Sequence, residues 1–422
     1  MLKVGHSIRR PGRVHGDTDI TIDVPEELET VPGVVQSPKE VDFYSREYPL
    51  ESQAVDMTAD RDWVWSVYTD EVLEHRKEHD KLNRPIIAAA KDTGDIEPAA
   101  APVPGKDVTV EIRQKAREMG FGEVGFTSLD RRYIFKFKRD WVKFPHAICL
   151  AWEQDYEPTQ TAPSIEAEGP HHGVYRTMGA VALDLADYIR SLGYHAQVHS
   201  PNDNSGAYIP MFVAAGLGQL GANGQLLSPH FGSRARIMLI STDAQVTYDE
   251  PVDYGIHSFC TICQVCVNRC PGRALMRDKV WWRGVEKHKL IYRRCRPVMA
   301  RYEGCAVCMK VCPVQRYGLK AVMDHYVETG SVLGKGTHLL EGYSIREMGY
   351  FGPGDLPRFN NEFFQIPHGK NEDLLFEDLK DRIREGDLSD DASGTLALRE
   401  FKQRVANYIS QPPDDMGRSW DV

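Results

Sequence analysis

The sequence predicts a mixed α/β protein (α+β in arrangement) in which a layered α/β unit precedes a compact cysteine-rich unit. Three observations carry this prediction. Apolar positions switch between helical and strand periodicity from residue 107 to residue 242. Eight of the nine cysteines crowd between Cys260 and Cys312. Two cysteine runs each end in Cys-Pro, at Pro271 and Pro313.

The elements follow in order. Residues 1–94 are polar and proline-interrupted, with one helix expected around 61–82. The stretch 95-DIEPAAAPVPGKD-107 reads as a Pro/Ala-rich linker and the clearest boundary. A helix is expected over 107–119, with Gly120 as its stop. The runs 123–129 and 147–152 read as buried strands. The segment 175-YRTMGAVALDLADYIRSLGY-194 places Met178, Val181, Leu185, Ile189 and Leu192 on one helical face and ends at Gly193. A short helix, a glycine-rich loop and a strand over 236–242 complete the layer, and the cysteine-rich segment spans 255–318. The C-terminal hundred residues are mixed and acidic, and no internal repeat is visible. The expected division is 1–105 extension and linker, 106–250 α/β domain, 251–325 cysteine-rich domain, and 326–422 a segment packing back on the core.

Composition narrows the function classes. With 422 residues, 41% hydrophobic and 27% charged, the chain has room for two or three globular units. The longest apolar runs, such as 209–222, fall short of the ~20 residues of a membrane span. Arg9 and Arg10 form an arginine pair, but no apolar stretch follows, so an export signal is not expected and the localisation reads as cytoplasmic. A formal charge of −10 argues against a dedicated nucleic-acid surface, while leaving room for a local basic patch. Cysteines clustered in this way suit metal ligation in a reducing compartment rather than a disulfide framework.

Cys260, Cys263, Cys266 and Cys270 form C-x2-C-x2-C-x3-C-P, and Cys295, Cys305, Cys308 and Cys312 form C-x9-C-x2-C-x3-C-P. Such runs bind two [4Fe–4S] clusters, and the fourth cysteine of each run ligates the other cluster. The expected ligand sets are Cys260, Cys263, Cys266 and Cys312 for one cluster, and Cys270, Cys295, Cys305 and Cys308 for the other. A pair of zinc sites is the competing reading. Cys149 lies in an apolar strand and reads as a buried core thiol. Residues 216-GLGQLG-221 match the dinucleotide fingerprint, which counts only after a strand and before a helix. The preceding run looks helical, so the glycines are read instead as letting backbone approach a large ligand. The chain is longer than a ferredoxin requires, so electrons are expected to pass to a site in the α/β unit. Its parts would be this loop, 201–206, Tyr175 and 231–237.

Taken together, 147–164, 175–196, 210–243 and the two cysteine runs resemble the corrinoid-dependent reductive dehalogenases over residues 106–320, and weakly around 349–355. Epoxyqueuosine reductase is a more distant relative. The resemblance implies a base-off, non-covalent cobalamin in a nitroreductase-like domain, followed by a bacterial-ferredoxin-like domain with two [4Fe–4S] clusters. It implies that Tyr175 is a proton donor, with Arg236 and Asn202 completing the catalytic set; an insertion leaves Asp203 and Asn204 as alternatives to Asn202. The corrinoid contacts it implies are Ser205, Gly206, Gly218, Gly221, Asn223, Ser228 and Phe231. The chemistry is coherent: a tyrosine of ordinary pKa ~10 is a poor acid, and a nearby guanidinium favours its phenolate. The net reaction takes R–X, two electrons and a proton to R–H and halide. His171, His172, His195, His199 and His230 each have metal-binding capacity. They are read as surface or supporting residues, because the family leaves the lower cobalt face without a protein ligand.

A fused reductase module of the kind some relatives carry is not visible, so an external donor such as a ferredoxin, flavodoxin or reductase is expected. The expected substrate is a small organohalide, a halogenated aromatic or phenol. Two alternatives compete. One is an epoxyqueuosine-reductase-like enzyme on tRNA, against which stand the acidic charge and Val174 at the position before Tyr175, near which that relative uses an acidic donor. The other is a non-catalytic iron–sulfur electron carrier.

Overall fold

A computed structural model describes residues 2–4, 20–22, 69–135, 138–201, 205–282, 285–290, 292–302 and 304–359. Strands β1 (Leu2–Val4) and β2 (Ile20–Ile22) form an antiparallel ribbon. Helix α1 (Asp70–Lys91) starts where the Thr69 side chain accepts a hydrogen bond from the Val72 N–H. The helix expected over 61–82 thus coincides with the first half of α1; residues 61–68 lie outside the described residues. Helix α2 (Thr109–Glu118) ends just before Gly120, whose φ of +108° stops it as expected.

Strands β3 (Glu123–Ser128) and β4 (His146–Glu153) follow, with a helical turn at Tyr156–Thr159. Next come the long helix α3 (Ile165–Ser191), strand β5 (Ala196–His199) and helix α4 (Ile209–Ala214). A small β6–β7 hairpin (Gln219–Leu220, Leu226–Leu227) leads to β8 (Ala235–Thr242). The main sheet has order β3-β4-β8-β5, and all three pairings are antiparallel. Strand β4 shows why these strands read as continuous apolar runs. Its Ile148 and Leu150 pack with Met178, Leu185 and Ile189 of α3, while Ala147, Cys149 and Ala151 pack with Met211 and Phe212 of α4. Both faces of the sheet are covered, so alternation disappears. Cys149 is a fully buried core thiol, as expected. The Gly216–Gly221 loop runs from helix α4 into strand β6, the reverse of the strand-then-helix order a dinucleotide fingerprint needs.

Helix α3 corrects the sequence reading. It begins ten residues before Tyr175, because the Ser164 side chain accepts from the Ala167 N–H and starts the helix early. The helix then continues through Gly169, Pro170 and Gly173 into the segment over 175–194 that the sequence reading recognises. The 95–107 stretch is also not a free spacer. The Ala99 N–H bonds the Arg190 carbonyl at 3.0 Å, and the Trp141 indole bonds the Lys91 carbonyl at 2.9 Å. Helix α1 lies along α3. Residues 70–105 therefore pack onto the α/β unit.

The cysteine-rich segment contributes α5 (Ile256–Cys263), α6 (Val265–Arg269), the β9–β10 hairpin (Leu275–Trp282, Val285–Leu290), α7 (Tyr292–Arg301), α8 (Val307–Lys310) and α9 (Pro313–Tyr317). Helix α10 (Leu319–Thr329), the turn α11 (His338–Glu341) and the β11–β12 hairpin (Tyr343–Ile345, Gly349–Phe351) close over it. Leu319, Val322, Leu340 and Tyr343 share one core with Phe259, Val307 and Val311. The buried Arg269 clips this closure by donating to the Glu341 carbonyl at 3.1 Å, with its guanidinium 4.8 Å from the Tyr343 ring centre. Among the described residues no helix is long and apolar enough to cross a membrane.

Gly193 locks the linker against α3. Its φ is +96°, and a Cβ there would sit 2.4 Å from the Pro102 nitrogen. Gly193→Ala is expected to cost about 1–3 kcal/mol in a denaturant titration, the usual cost of such backbone strain. Gly169→Ala, on a helical glycine with open space around it, is expected to be neutral or to stabilise by about 0.5–1 kcal/mol.

Candidate active site and cysteine centres

The eight clustered cysteines separate into two groups that mix the two runs. Cys260, Cys263 and Cys266 line one cavity with Cys312, and Asn223 and Gln264 border it. Cys270, Cys295 and Cys308 gather around Ala274 and Leu275, and Cys305 is electrostatically coupled to the same three. The loops that turn these thiols inward use left-handed backbone at Gln264, Cys305 and Ala306, with φ of 54°, 57° and 52°. Burial pushes the Cys312 thiol up to about 11. Cys263, Cys266, Cys305 and Cys308 are driven above the ordinary thiol range for the same reason, with neighbouring thiols adding to the rise. Thiolates at these positions therefore need compensating metal charge, which suits iron–sulfur ligation.

On the α/β side, Tyr175 and Arg236 come together. Tyr175 sits half-buried on α3, and the Arg236 guanidinium lies 5.9 Å from its ring centre. Arg236 stands opposite Trp152 in the β4–β8 ladder. Its Nε donates to Gln154 Oε1 at 2.6 Å, and its NH2 group lies 3.2 Å from Met309 Sδ. Met309 directly follows Cys308, so one guanidinium touches both the tyrosine's helix and the second cysteine run. His171, one turn before Tyr175, packs edge-on against it at 4.7 Å. Burial lowers the pKa of His171 to about 4 and keeps it neutral. Gln154, Met309 and His171 were not singled out as partners of this pair in the sequence, because nothing in local spacing says which side chains meet across two strands and a helix. Asn202, Asp203 and Asn204 lie outside the described residues.

The residues expected to touch a large cofactor are tightly packed. The Ser205 hydroxyl meets His199 Nδ1 at 2.5 Å, and the Ser228 hydroxyl donates to Glu123 Oε1 at 2.5 Å. Phe231 is fully buried. A Cβ on Gly206, Gly218 or Gly221 would strike Tyr133, Leu227 or Asn223, so protein packing alone accounts for these glycines. Asn223 alone among these seven borders the first cysteine cavity. Two side chains beside them carry a signal the sequence could not show. Ser233 Oγ and both amide atoms of Gln315 are buried and make no hydrogen bond among the described residues. Gly232 packs against Gln315, so the loop that carries Ser233 meets the chain just after the second cysteine run. A polar-rimmed ligand such as a corrinoid would satisfy them, and the residues present fit that group.

Two of the histidines read as surface or supporting residues lie in the interior. His199 is completely buried between the hydroxyls of Ser205 and Ser241, and burial lowers its pKa to about 3. His230 is buried as well, 3.7 Å from Glu123. These two are interior residues, because β5 and the 228–234 loop run under the sheet's covering layer. His195 is partly exposed and paired with Asp243 at 2.7 Å.

No family model matches this chain. It is 37% identical over 150 residues to the tetrachloroethene reductive dehalogenase of Desulfitobacterium hafniense, a stretch covering 34% of this chain and 27% of that enzyme. The corresponding enzyme of Sulfurospirillum multivorans is 30% identical over 167 residues, 37% of this chain and 33% of its own. An epoxyqueuosine reductase of Lactococcus garvieae is 31% identical over 172 residues, 38% of this chain and 44% of that one. The matches thus span less than half the length of these relatives. A solved structure described as a reductive dehalogenase that suggests a mechanism for B12-dependent dehalogenation superposes with a TM-score of 0.58 at 19% identity, covering 81% of this chain and 55% of that one. A catabolic reductive dehalogenase in complex with 3-bromo-4-hydroxybenzoic acid gives 0.56 at 20% identity, covering 73% and 47%. The resemblance to reductive dehalogenases read from the sequence is borne out, and the mixed helix–strand fold is shared.

Glu123 on β3 yields a test of this interior. Burial raises its carboxyl to about 8 against the pull of the Ser228 bond, and Oε2 has no hydrogen-bond partner among the described residues. The unfolded carboxyl ionises near 4.5. Stability from this group is therefore full below that pH and is lost as pH rises through about 8, at roughly 1.4 kcal/mol per unit. Glu123→Gln should flatten the wild-type decline in unfolding free energy between about pH 5 and pH 8. Parallel curves for the two proteins would mean that Glu123 is ionised in the native state.

Proposed function

We propose that this chain is a cobalamin-dependent reductive dehalogenase that replaces a carbon-bound halogen by hydrogen. The observation that carries the reading is the contact set of Arg236, which joins Tyr175 to Met309 of the second cysteine run. A proton source therefore stands next to an electron-carrying segment. The curated relatives and the shared fold support the same reaction class.

In this reading Cys260, Cys263, Cys266 and Cys312 hold one [4Fe–4S] cluster, and Cys270, Cys295, Cys305 and Cys308 hold the other, in a bacterial-ferredoxin-like unit. The nitroreductase-like α/β unit would hold the corrinoid beside the 216–232 loop. Ser233 and Gln315 would meet its polar rim together with Asn223 and the neighbouring positions Ser205, Gly206, Gly218, Gly221, Ser228 and Phe231. When bound, it supplies the reduced cobalt that drives carbon–halogen cleavage. The chain's own residues do the rest. Tyr175 Oη gives a proton to the carbon that loses halide, and Arg236, held by Gln154, balances the phenolate that results. Asn202 is assigned to the site by resemblance. The substrate is a small organohalide, with a halogenated phenol as the first candidate, since one structural neighbour is a complex with 3-bromo-4-hydroxybenzoic acid. The enzyme acts in the cytoplasm with an external ferredoxin, flavodoxin or reductase as donor. The match to epoxyqueuosine reductase keeps one second reading, a reductase of modified tRNA. Halide release from an organohalide, set against epoxyqueuosine consumption in tRNA, separates the two.

Anaerobically reconstituted protein should contain about eight irons and a single corrinoid per chain. Near four irons, or no retained corrinoid, would refute the assignment. Cys312→Ala should convert or abolish the cluster of the first run in reduced-state EPR, although Cys312 belongs to the second. A change confined to the cluster of Cys305 and Cys308 would show the pairing to be wrong.

Tyr175→Phe should leave iron and corrinoid content intact and lower halide release by roughly 10²–10⁴-fold, the share of a positioned acid. Arg236→Lys should be milder than Arg236→Ala, because lysine keeps the charge but loses the planar fork. Undiminished halide release at full cofactor occupancy would remove Tyr175 from the mechanism.

A further inference from the structure

The charge of this chain is unevenly placed. Residues 271–305 hold ten of its 51 lysines and arginines but only three of its 61 aspartates and glutamates, although the whole chain carries −10. This stretch forms the β9–β10 hairpin and α7. Cys270 precedes it, Cys295 lies inside it and Cys305 ends it. The second cysteine group is therefore built largely from the one basic part of an acidic chain.

Contacts gather four arginines around a single loop, the one that carries Cys270. The Arg273 N–H bonds the Cys270 carbonyl at 3.1 Å. Its Nη2 donates to the Pro357 carbonyl at 3.1 Å, which brings the next residue, Arg358, to the same place. Arg277 reaches back to Asn268, two residues before Cys270, and donates from Nη2 to Oδ1 at 2.7 Å. The Arg294 carbonyl lies against Gly272, 2.4 Å from where a Cβ would sit, and Arg294 directly precedes Cys295. Arg273, Arg277 and Arg358 are exposed, and Arg294 is half-buried.

Fold stability explains these arginines less well. Arg273 and Arg277 donate to a carbonyl and an amide, so these bonds leave their charge in place. Arg301 and Arg346, by contrast, are paired with Glu347 and Glu71. Arg273 stands at φ +50°, a conformation that favours glycine or asparagine, so the turn itself does not call for arginine. Asp355, Asp278, Glu286 and Glu303 are the acids close by in the chain, and they do not balance the stretch. The thiols near this loop are also the more accessible ones. Cys295, Cys305 and Cys308 are half-buried, whereas in the first group Cys260, Cys263 and Cys312 are buried.

We propose that the Cys270 loop and its four arginines form the docking face for the electron donor, and that the donor is a small acidic iron–sulfur carrier. The proposal rests on the iron–sulfur part of the reading above and deepens it, by naming where the external donor binds and what charge it carries. Each encounter moves one electron from the reduced carrier to the centre held by Cys270, Cys295, Cys305 and Cys308 and leaves the carrier oxidised. Two encounters supply the two electrons of the net reaction, and no proton moves at this face. Transient electron-transfer interfaces bury about 1,200 Å² or less, so a loop-sized face is large enough. Complementary charge there mainly speeds and orients the encounter. A tRNA suits the face less well, because phosphate binding needs cations along a length of backbone, and beyond this stretch acids outnumber bases.

The test uses the full chain, reconstituted anaerobically with iron and sulfide, and an acidic plant-type [2Fe–2S] ferredoxin as the probe. Binding of the oxidised partners is measured by calorimetry at about 0.01 M and about 0.15 M ionic strength, between which the Debye length falls from about 30 Å to about 8 Å. Wild type should bind, and its affinity should fall about 10-fold or more across that range. Arg277→Glu/Arg358→Glu should weaken binding at low salt by at least about 10-fold and flatten the salt dependence. Its iron content and its reduction by dithionite should be unchanged, while reduction by photoreduced ferredoxin slows in proportion to the lost affinity. Arg277→Lys/Arg358→Lys should bind as wild type does. Arg358→Glu alone, outside the cysteine-rich segment, should weaken binding in the same sense even where the double variant loses iron. An iron-loaded wild type that binds no ferredoxin overturns the proposal, and so does equal binding by the iron-loaded glutamate variant. A tRNA stem-loop bound in place of ferredoxin, with the same dependence on these arginines, overturns it in favour of a nucleic acid. Ferredoxin binding that appears only when the acids of residues 372–391 are replaced by amides assigns the face to that segment and overturns it too. A wild type that holds no iron refutes the iron–sulfur reading, and the proposal falls with it.

Discussion

The site hangs on one guanidinium. Arg236 leaves the sheet beside Gln154, passes over Tyr175 and ends at the sulfur of Met309. A guanidinium suits that place because it is planar, permanently charged and only weakly hydrated. Its neighbour Arg234 is fully buried and bonded to Glu153 and to the Gln154 carbonyl, which keeps the β8 end rigid. The two arginines at the start of β8 thus differ: Arg234, just before the strand, braces the sheet, and Arg236, inside it, reaches Tyr175 and Met309.

The second constraint is desolvation. Four of the eight clustered cysteines are buried and the other four are half-buried, where a thiolate alone is costly, and a core closed by Arg269 and Tyr343 keeps them there. Such a segment is built around metal charge. The unmet amide of Gln315 and hydroxyl of Ser233 state the same demand in hydrogen-bonding terms. They lie next to a glycine that packs against Gln315, where the α/β unit and the cysteine-rich segment meet. Glu123 solves its own burial differently, by staying protonated and giving its one used oxygen to Ser228.

Helix α1 changes how the N-terminal part is understood. It packs on α3 with a common seven-residue register that seats Ile86 against Gly179 and stacks His79 on His172. The linker after it is pinned by Ala99, Pro102 and Gly193. The part of the chain that sequence reading sets aside as an extension therefore lies one helix turn from Tyr175.

Much was legible beforehand. The strands over 123–128, 146–153 and 235–242, the glycine stops and the core role of Cys149 follow from apolar runs and backbone chemistry, which are local properties. Covalent spacing gave the expectation that each run sends its fourth thiol to the other cluster, and the structure places Cys312 beside the first run's Cys260, Cys263 and Cys266. Other features were not legible. Gly169, Pro170 and Gly173 hid the true start of α3, because a serine cap and tertiary packing outweighed local propensity. Whether His199 and His230 are surface or supporting residues stayed open, because a polar side chain announces neither its burial nor its partners. The meeting of Arg236 with Met309, and of His79 with His172, joins residues far apart in the chain. The sequence alone determined which chemical groups the protein carries and how closely neighbours along the chain can be placed. Only the tertiary structure decided which distant groups share a site, because that depends on how sheet and helices pack.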